Sequence, residues 1–89
     1  MARLIFTQQL RRFVDAPEFC TDATTLRAAL AQAFVQQPRL QAYVLDEQGG
    51  LRANVVVFID GRRCAERQAL HDALQPDSTV HVMQALSGG

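Results

Sequence analysis

The residues of this chain best placed to do chemistry carry almost no side chain. Ser87-Gly88-Gly89 follows directly on an alternating apolar stretch, Val80-His81-Val82-Met83-Gln84-Ala85-Leu86. Two consecutive glycines without side chains enter a channel too narrow for other residues and can bring the Gly89 carboxylate within reach of an activating enzyme. The competing reading is an ordinary frayed terminus, since small residues and disorder are common at chain ends. Gly49-Gly50, flanked by Asp46-Glu47-Gln48 and Leu51, is an internal control: there the same dipeptide reads as plain turn geometry.

Other reactive side chains are scattered. Cys20 and Cys64 form no Cys-x-x-Cys pair and have no neighbouring His, so they read as reduced thiols that pack as small apolar groups. His71 and His81 stand alone, and no Ser/His/Asp or Cys/His grouping is present in the sequence. The chain shows no catalytic apparatus of its own and no metal-ligand spacing. All nine basic residues are Arg and there is no Lys, so apart from its α-amino group the chain offers no ordinary amine for isopeptide formation.

Length and composition narrow the class. Eighty-nine residues suffice for one domain with one core. Charged residues are 20% and hydrophobic residues 48% of the chain, values of a folded protein, and no apolar run is long enough to cross a bilayer. The opening Met1-Ala2-Arg3-Leu4-Ile5-Phe6-Thr7 lacks the length of a signal sequence, so a cytoplasmic protein with no membrane partner is expected. Nine basic residues balance nine acidic ones, which leaves no broad positive field for nucleic acid. Arg62, Arg63 and Arg67 are diluted by Asp60 and Glu66 and read as a solvated face.

The elements that must position the tail follow from period and punctuation. Arg3 to Thr7 alternates as a first strand, with Leu4 and Phe6 on one face and Ile5 on the other. Phe13-Val14 either extends a strand or packs under a loop, and Glu18 to Thr21 forms a short second strand. Asp22, Thr24 or Thr25 caps a helix over roughly residues 24–37, with Leu26, Ala29, Leu30, Ala33 and Phe34 on one face and Pro38 as its stop. Leu40 to Leu45 is either a short helical turn or an extended segment. Asn54 to Ile59 is the most β-like run, closed by Asp60-Gly61 in a type I′ turn, with Arg62 to Ala65 returning as its partner. Leu70 and Leu74 anchor a brief helical or irregular connection, and Thr79 to Leu86 is the last strand. This order predicts an α+β fold of the β-grasp type, a mixed sheet of about five strands wrapped on one main helix, with the final strand beside the first at the centre. Residues 1–86 form the domain and 87–89 a flexible tail.

In Val55 to Ile59 every position is apolar, although a helix can cover only one face of a strand. The uncovered face is expected to form an apolar patch of Phe58 with His81 and Met83, suited to docking a partner. The alternative is that Leu40 to Leu45 covers it.

Asp46-Glu47-Gln48-Gly49-Gly50-Leu51-Arg52, Asn54 to Arg62, Pro76-Asp77-Ser78-Thr79-Val80-His81-Val82 and Ser87-Gly88-Gly89, in this order and spacing, resemble the MoaD/ThiS family of ubiquitin-like sulfur carriers. The resemblance spans the chain from the helix at Thr24 onward. It departs at Gln84-Ala85-Leu86, where family members often carry a Pro-Pro-Val type approach to the tail. It implies a carrier with no permanently bound cofactor. An E1-like adenylating enzyme, using ATP and magnesium, would convert the Gly89 carboxylate to an acyl adenylate. A persulfide sulfur donor would displace AMP to leave a thiocarboxylate, and a sulfur-accepting synthase would take the sulfur. Gly89 would carry the sulfur, while Gly88 gives access and Ser87 keeps the tail polar. The resemblance admits two variants, the small subunit of molybdopterin synthase and a modifier conjugated to other proteins through Gly89. The Gly-Leu-Arg turn before the third strand is similar to the longer branch, which includes carriers used in cysteine biosynthesis. Outside the resemblance stands a third class, a β-grasp interaction module whose tail has no role.

Overall fold

Alternation and capping fold this chain around one mixed sheet. The computed structural model describes residues 1–6 and 18–84. In chain order the elements are β1 (Ala2–Phe6), β2 (Glu18–Thr21), α1 (Leu26–Gln36), α2 (Pro38–Val44), β3 (Val55–Ile59), β4 (Arg62–Arg63) and β5 (Thr79–Gln84). The strands lie in the order β2-β1-β5-β3-β4. β5 pairs parallel with β1, from Arg3 opposite Thr79 to Phe6 opposite Val82, and antiparallel with β3, from Val55 opposite Gln84 to Ile59 opposite Val80. The last strand therefore runs through the centre beside the first, as the sequence predicts. The expected Phe13-Val14 element falls outside the described residues.

Because side chains alternate across a strand, every second residue faces inward. Leu4, Phe6, Val55, Val57, Val80 and Val82 are each at most 2% exposed. They meet Leu26, Ala29, Leu30, Ala33 and Phe34 of α1, the face that the three- and four-residue spacing predicts. Leu4→Ala would remove a fully buried branched side chain and costs about 2–5 kcal/mol by transfer and cavity formation.

Of the three candidate caps, Thr25 is the one used: its Oγ1 accepts the N–H of Ala28 at 3.2 Å. The helix ends at Gln36, and Pro38 does more than stop it. Gln37 closes α1 by donating its N–H to the Ala33 carbonyl at 2.8 Å and serves as the N-cap of α2, with Pro38 at the first helical position where its missing N–H costs nothing. Residues 38–44 are thus helical, so the ambiguous Leu40 to Leu45 is a helical turn through Val44 with Leu45 extended as its C-cap. Leu40 and Val44 bury their side chains in the same core.

β4 is two residues long where the sequence predicts four. The Cys64 N–H still donates to the Val57 carbonyl at 2.9 Å, but the next two donors, Ala65 and Glu66, turn to the Asp72 carboxylate at 2.8 and 3.1 Å. A local side-chain acceptor there outcompetes the ladder. Residues 65–74 run as turns and irregular chain, with Leu70 and Leu74 buried.

The β3–β4 turn clasps the start of β5. Asp60 and Gly61 have φ of 51° and 85°, the left-handed pair a type I′ turn requires. This presents the Asp60 carboxylate to β5: Oδ1 accepts the Thr79 N–H and Oδ2 the Ser78 hydroxyl, each at 2.9 Å. The backbone donor at Thr79, then the Ser78 hydroxyl, hold the Asp60 pKa below its ordinary value, with a smaller contribution from Arg62. A lowered carboxylate pKa means stability present above the unfolded value near 4 and lost as pH falls through the folded pKa. Asp60→Asn keeps the tolerance for positive φ and an acceptor but removes the charge. Urea unfolding midpoints followed from pH 7 to pH 3 should fall less steeply for Asp60→Asn than for the parent chain; parallel profiles would refute the clasp.

Candidate functional site

β5 is hydrogen-bonded on both edges, to β1 and to β3, and its last described residue is Gln84, opposite Val55. The tail residues Ser87, Gly88 and Gly89, together with Ala85 and Leu86, lie outside the described residues. The root of the tail is therefore a central strand with a fixed register.

The other predicted site residues come together on the outer face of the sheet. Phe58 pairs with His81 and Val56 with Met83, so these four side chains share the face that points away from α1. All four are half-buried, as is Ile5, which lies opposite His81 on its other side. One row crosses the whole sheet: Glu18, Ile5, His81, Phe58 and Arg63. Its centre is apolar around His81 and its two ends are charged. Glu18 accepts from the Arg3 guanidinium at 3.2 Å, on the exposed surface. The alternative cover is not there. α2 packs beside α1 on the opposite side of the sheet, with Leu40 and Val44 in the inner core.

Among the described residues, Cys64 and His71 lie apart from this face, and neither is paired with a catalytic partner. Cys64 is half-buried and packs against the core. Burial first, and the Asp72 carboxylate second, push its thiol pKa up, opposed by Arg67 and Arg63. A raised thiol pKa means less thiolate and a poorer nucleophile at neutral pH. His71 Nδ1 stands 3.8 Å from Glu66 Oε1, both on the exposed surface, with no nucleophile in the pair. Among the described residues no group of three or more His, Cys, Asp or Glu is placed to hold a metal ion, and no helix is long and apolar enough to cross a membrane.

The N-terminus of α1 is closed by the chain itself. Leu26 N–H donates to the Asp72 carbonyl, Arg27 N–H to the Leu70 carbonyl, and Ala29 N–H to Thr25, which leaves no free donor set for an anion. The Arg27 side chain then reaches the carbonyls of Gln68, Ala69 and Gly49 at 2.7, 2.8 and 3.1 Å. Sequence reasoning assigned no role to Arg27 or Asp72. The Arg27 side chain meets carbonyls 22 to 42 residues away, and the Asp72 carbonyl meets α1 across a similar gap, so no local spacing announces these contacts.

A five-stranded mixed sheet in this order over one main helix defines a ubiquitin-like β-grasp protein. The chain belongs to the ThiS family, whose model matches residues 4–89. No curated protein sequence matches it. Among solved structures, it is similar to SAMP1 from Haloferax volcanii, with TM-score 0.81 and 20% identity over 99% of this chain and 98% of that one. A chain of the BexX/CysO complex from Amycolatopsis orientalis superposes with TM-score 0.86 at 13% identity, over 100% of both chains. Subunit 1 of a putative molybdopterin converting factor from Pyrococcus furiosus gives 0.71 at 14% identity, over 96% of this chain and 97% of that one. At these identities the likeness is one of fold, which agrees with the expected α+β class.

The two thiols should differ in reactivity. Cys20 is exposed on β2, whereas Cys64 is half-buried with a raised pKa. Iodoacetamide at pH 7.5, followed by peptide mass mapping, should alkylate Cys20 at least several-fold faster than Cys64. A faster Cys64 would contradict the arrangement described above.

Proposed function

We propose that the chain is a sulfur carrier, a protein cosubstrate with no catalysis of its own, whose Gly89 carboxylate is the reacting group. The observation that carries this reading is the ThiS-family match running through Gly88-Gly89, a diglycine placed five residues or fewer beyond the central strand. A carboxylate resists nucleophilic attack. An E1-like adenylating enzyme in the cytoplasm, using ATP and magnesium, converts it to a mixed anhydride with AMP as leaving group. A persulfide sulfur attacks the Gly89 carbonyl carbon, the bond to AMP breaks and an acyl disulfide forms; a thiol then attacks the donor's sulfur, the S–S bond breaks, and a new disulfide and the Gly89 thiocarboxylate are released. A sulfur-accepting synthase in cofactor or cysteine biosynthesis then receives the sulfur. Gly88 and Ser87 give the tail a slim, polar approach to the enzyme.

Docking falls to the outer sheet face. Val56, Phe58, His81 and Met83 lie together and half-buried with no described element over them, and they share β5 with the root of the tail. An enzyme that grips this face receives the tail in one register. The fold likeness to proteins named as a modifier and as a molybdopterin converting factor subunit keeps two variants within the same class, conjugation through Gly89 and service as the small subunit of molybdopterin synthase.

Incubation with the cognate adenylating enzyme, ATP and a sulfur donor should raise the intact mass by one oxygen-to-sulfur exchange, and deletion of Gly89 should abolish the change. An unchanged mass with a partner shown to be active would sink the carrier reading, and lysine-linked adducts on other proteins in place of thiocarboxylate would favour the modifier. Phe58→Ser should cost only about 1 kcal/mol of stability, because its ring is half-covered, yet slow adenylation at least tenfold. Wild-type adenylation rates in a folded Phe58→Ser protein would move the docking surface elsewhere.

A further inference from the structure

The sequence has nine arginines and no lysine in 89 residues. The two cations are not equivalent toward an activated acyl group. A guanidinium stays protonated and does not attack a carbonyl carbon, whereas the small neutral fraction of a lysine amine does. The inference rests on the proposed activation of Gly89, because only an activated carboxyl is at risk.

The parallel pairing of β1 and β5 adds a second barrier. Arg3 lies opposite Thr79, and the Arg3 N–H donates to the Ser78 carbonyl at 2.9 Å, so β1 begins where β5 begins. Met1 is therefore level with Asp77, seven positions from Gln84, or about 23 Å along the sheet at the usual rise per strand residue. Five residues beyond Gln84 reach at most about 18 Å when fully extended. The α-amino group of Met1 lies beyond the reach of Gly89 of the same chain. Cys20 lies opposite Arg3 and so also at the far end of the sheet. Cys64 is level with Val57, hence with Val82, and is the one thiol near the root of the tail; it is half-buried against the core.

We infer that the chain is a one-way acyl donor toward amines: it is built without an amine within reach of its own activated Gly89, so aminolysis can pass the acyl group only to an amine on another molecule. The reaction avoided is aminolysis. An amine lone pair attacks the Gly89 carbonyl carbon, the bond to the leaving group breaks, an amide forms, and the nitrogen loses a proton to water. As a corollary, the protein does not build lysine-linked chains of itself.

The test installs the activated carboxyl without any adenylating enzyme, so its outcome is independent of the sulfur-transfer assay above. The full chain is released from a C-terminal intein fusion as its Gly89 thioester and held at pH 8, and products are read by intact mass and gel electrophoresis. Three proteins are compared: the parent, Ala53→Lys in the exposed turn before β3 beside the root of the tail, and Asp77→Lys at the exposed far end. The parent should hydrolyse to free carboxylate without cyclised monomer. Ala53→Lys should give cyclised monomer at least tenfold faster than Asp77→Lys, at a rate independent of protein concentration. Cyclised parent protein, equal cyclisation of the two variants, or failure of Ala53→Lys to cyclise would each overturn the inference. Circular dichroism of the variants establishes that each has folded before the comparison is made.

Discussion

The parallel pairing of β1 with β5 is the constraint from which the remaining architecture follows. Two parallel neighbours cannot be joined by a tight turn, so everything from β2 to the loop before β5 is one long crossover that must return the chain to the sheet's starting end. A parallel pair is stable only when its face is covered, and α1 supplies that cover with five buried side chains. β3 then closes the other edge of β5 in antiparallel register, and β2 closes the other edge of β1. The strand that leads to the diglycine is thereby hydrogen-bonded on both sides. Its flanks, β2 and the two-residue β4, take the exposed edge positions, and both are short, which limits pairing with other chains.

A long crossover has to be tied down, and the chain does this with backbone acceptors more than with additional core. Asp72 is the knot: its carbonyl receives the first N–H of α1, while its carboxylate receives Ala65 and Glu66 and so ends β4. Leu70 helps at some conformational cost. It adopts φ 58°, unusual for a branched residue, and is held there by its N–H to Glu66, its carbonyl to Arg27 and full burial of its side chain. Arg27 then joins this loop to the Gly49 turn. The consequence for function is negative but informative. The groups that elsewhere make helix termini and acidic clusters into binding sites are consumed here by the fold.

What was legible in the sequence follows interaction range. Alternation at Leu4-Ile5-Phe6, the helical spacing from Leu26 to Phe34 and the Asp60-Gly61 turn are local signals, and each element forms as its signal predicts. The role of Arg27, the carbonyl contacts of Leu70 and Asp72 to α1 and the burial of Leu70 depend on partners more than twenty residues away, so no local window contains them, while the shortened β4 depends on a nearby carboxylate, Asp72, that carries no periodic signal. Leu40 to Leu45, whose first five residues fall in α2, is ambiguous in sequence for a different reason. A seven-residue helix has barely two turns, too few for apolar period to separate helix from strand, and only the burial of Leu40 and Val44 against α1 and the sheet decides it. The candidate partner surface was legible in part: an all-apolar β3 announces two greasy faces, while the choice between an open face and one covered by residues 40–45 needed the placement of α2.

On the proposed function, chemistry and recognition are separated in this fold, and the separation has a physical rationale. A group that must enter another protein's active site gains from having no side chains, but a segment without side chains supplies little binding energy or specificity. Both must therefore come from elsewhere on the molecule. With the proposed docking residues His81 and Met83 on the same strand as the tail's root, the coupling would be mechanical: a partner that fixed the outer face would also fix the strand's register, and the short segment beyond Gln84 would have a limited volume to search. On the proposed reading, the central, doubly paired position of β5 matters because a strand at the sheet's edge would let that register slip by frayed pairing, and the reacting carboxylate would arrive with the same uncertainty.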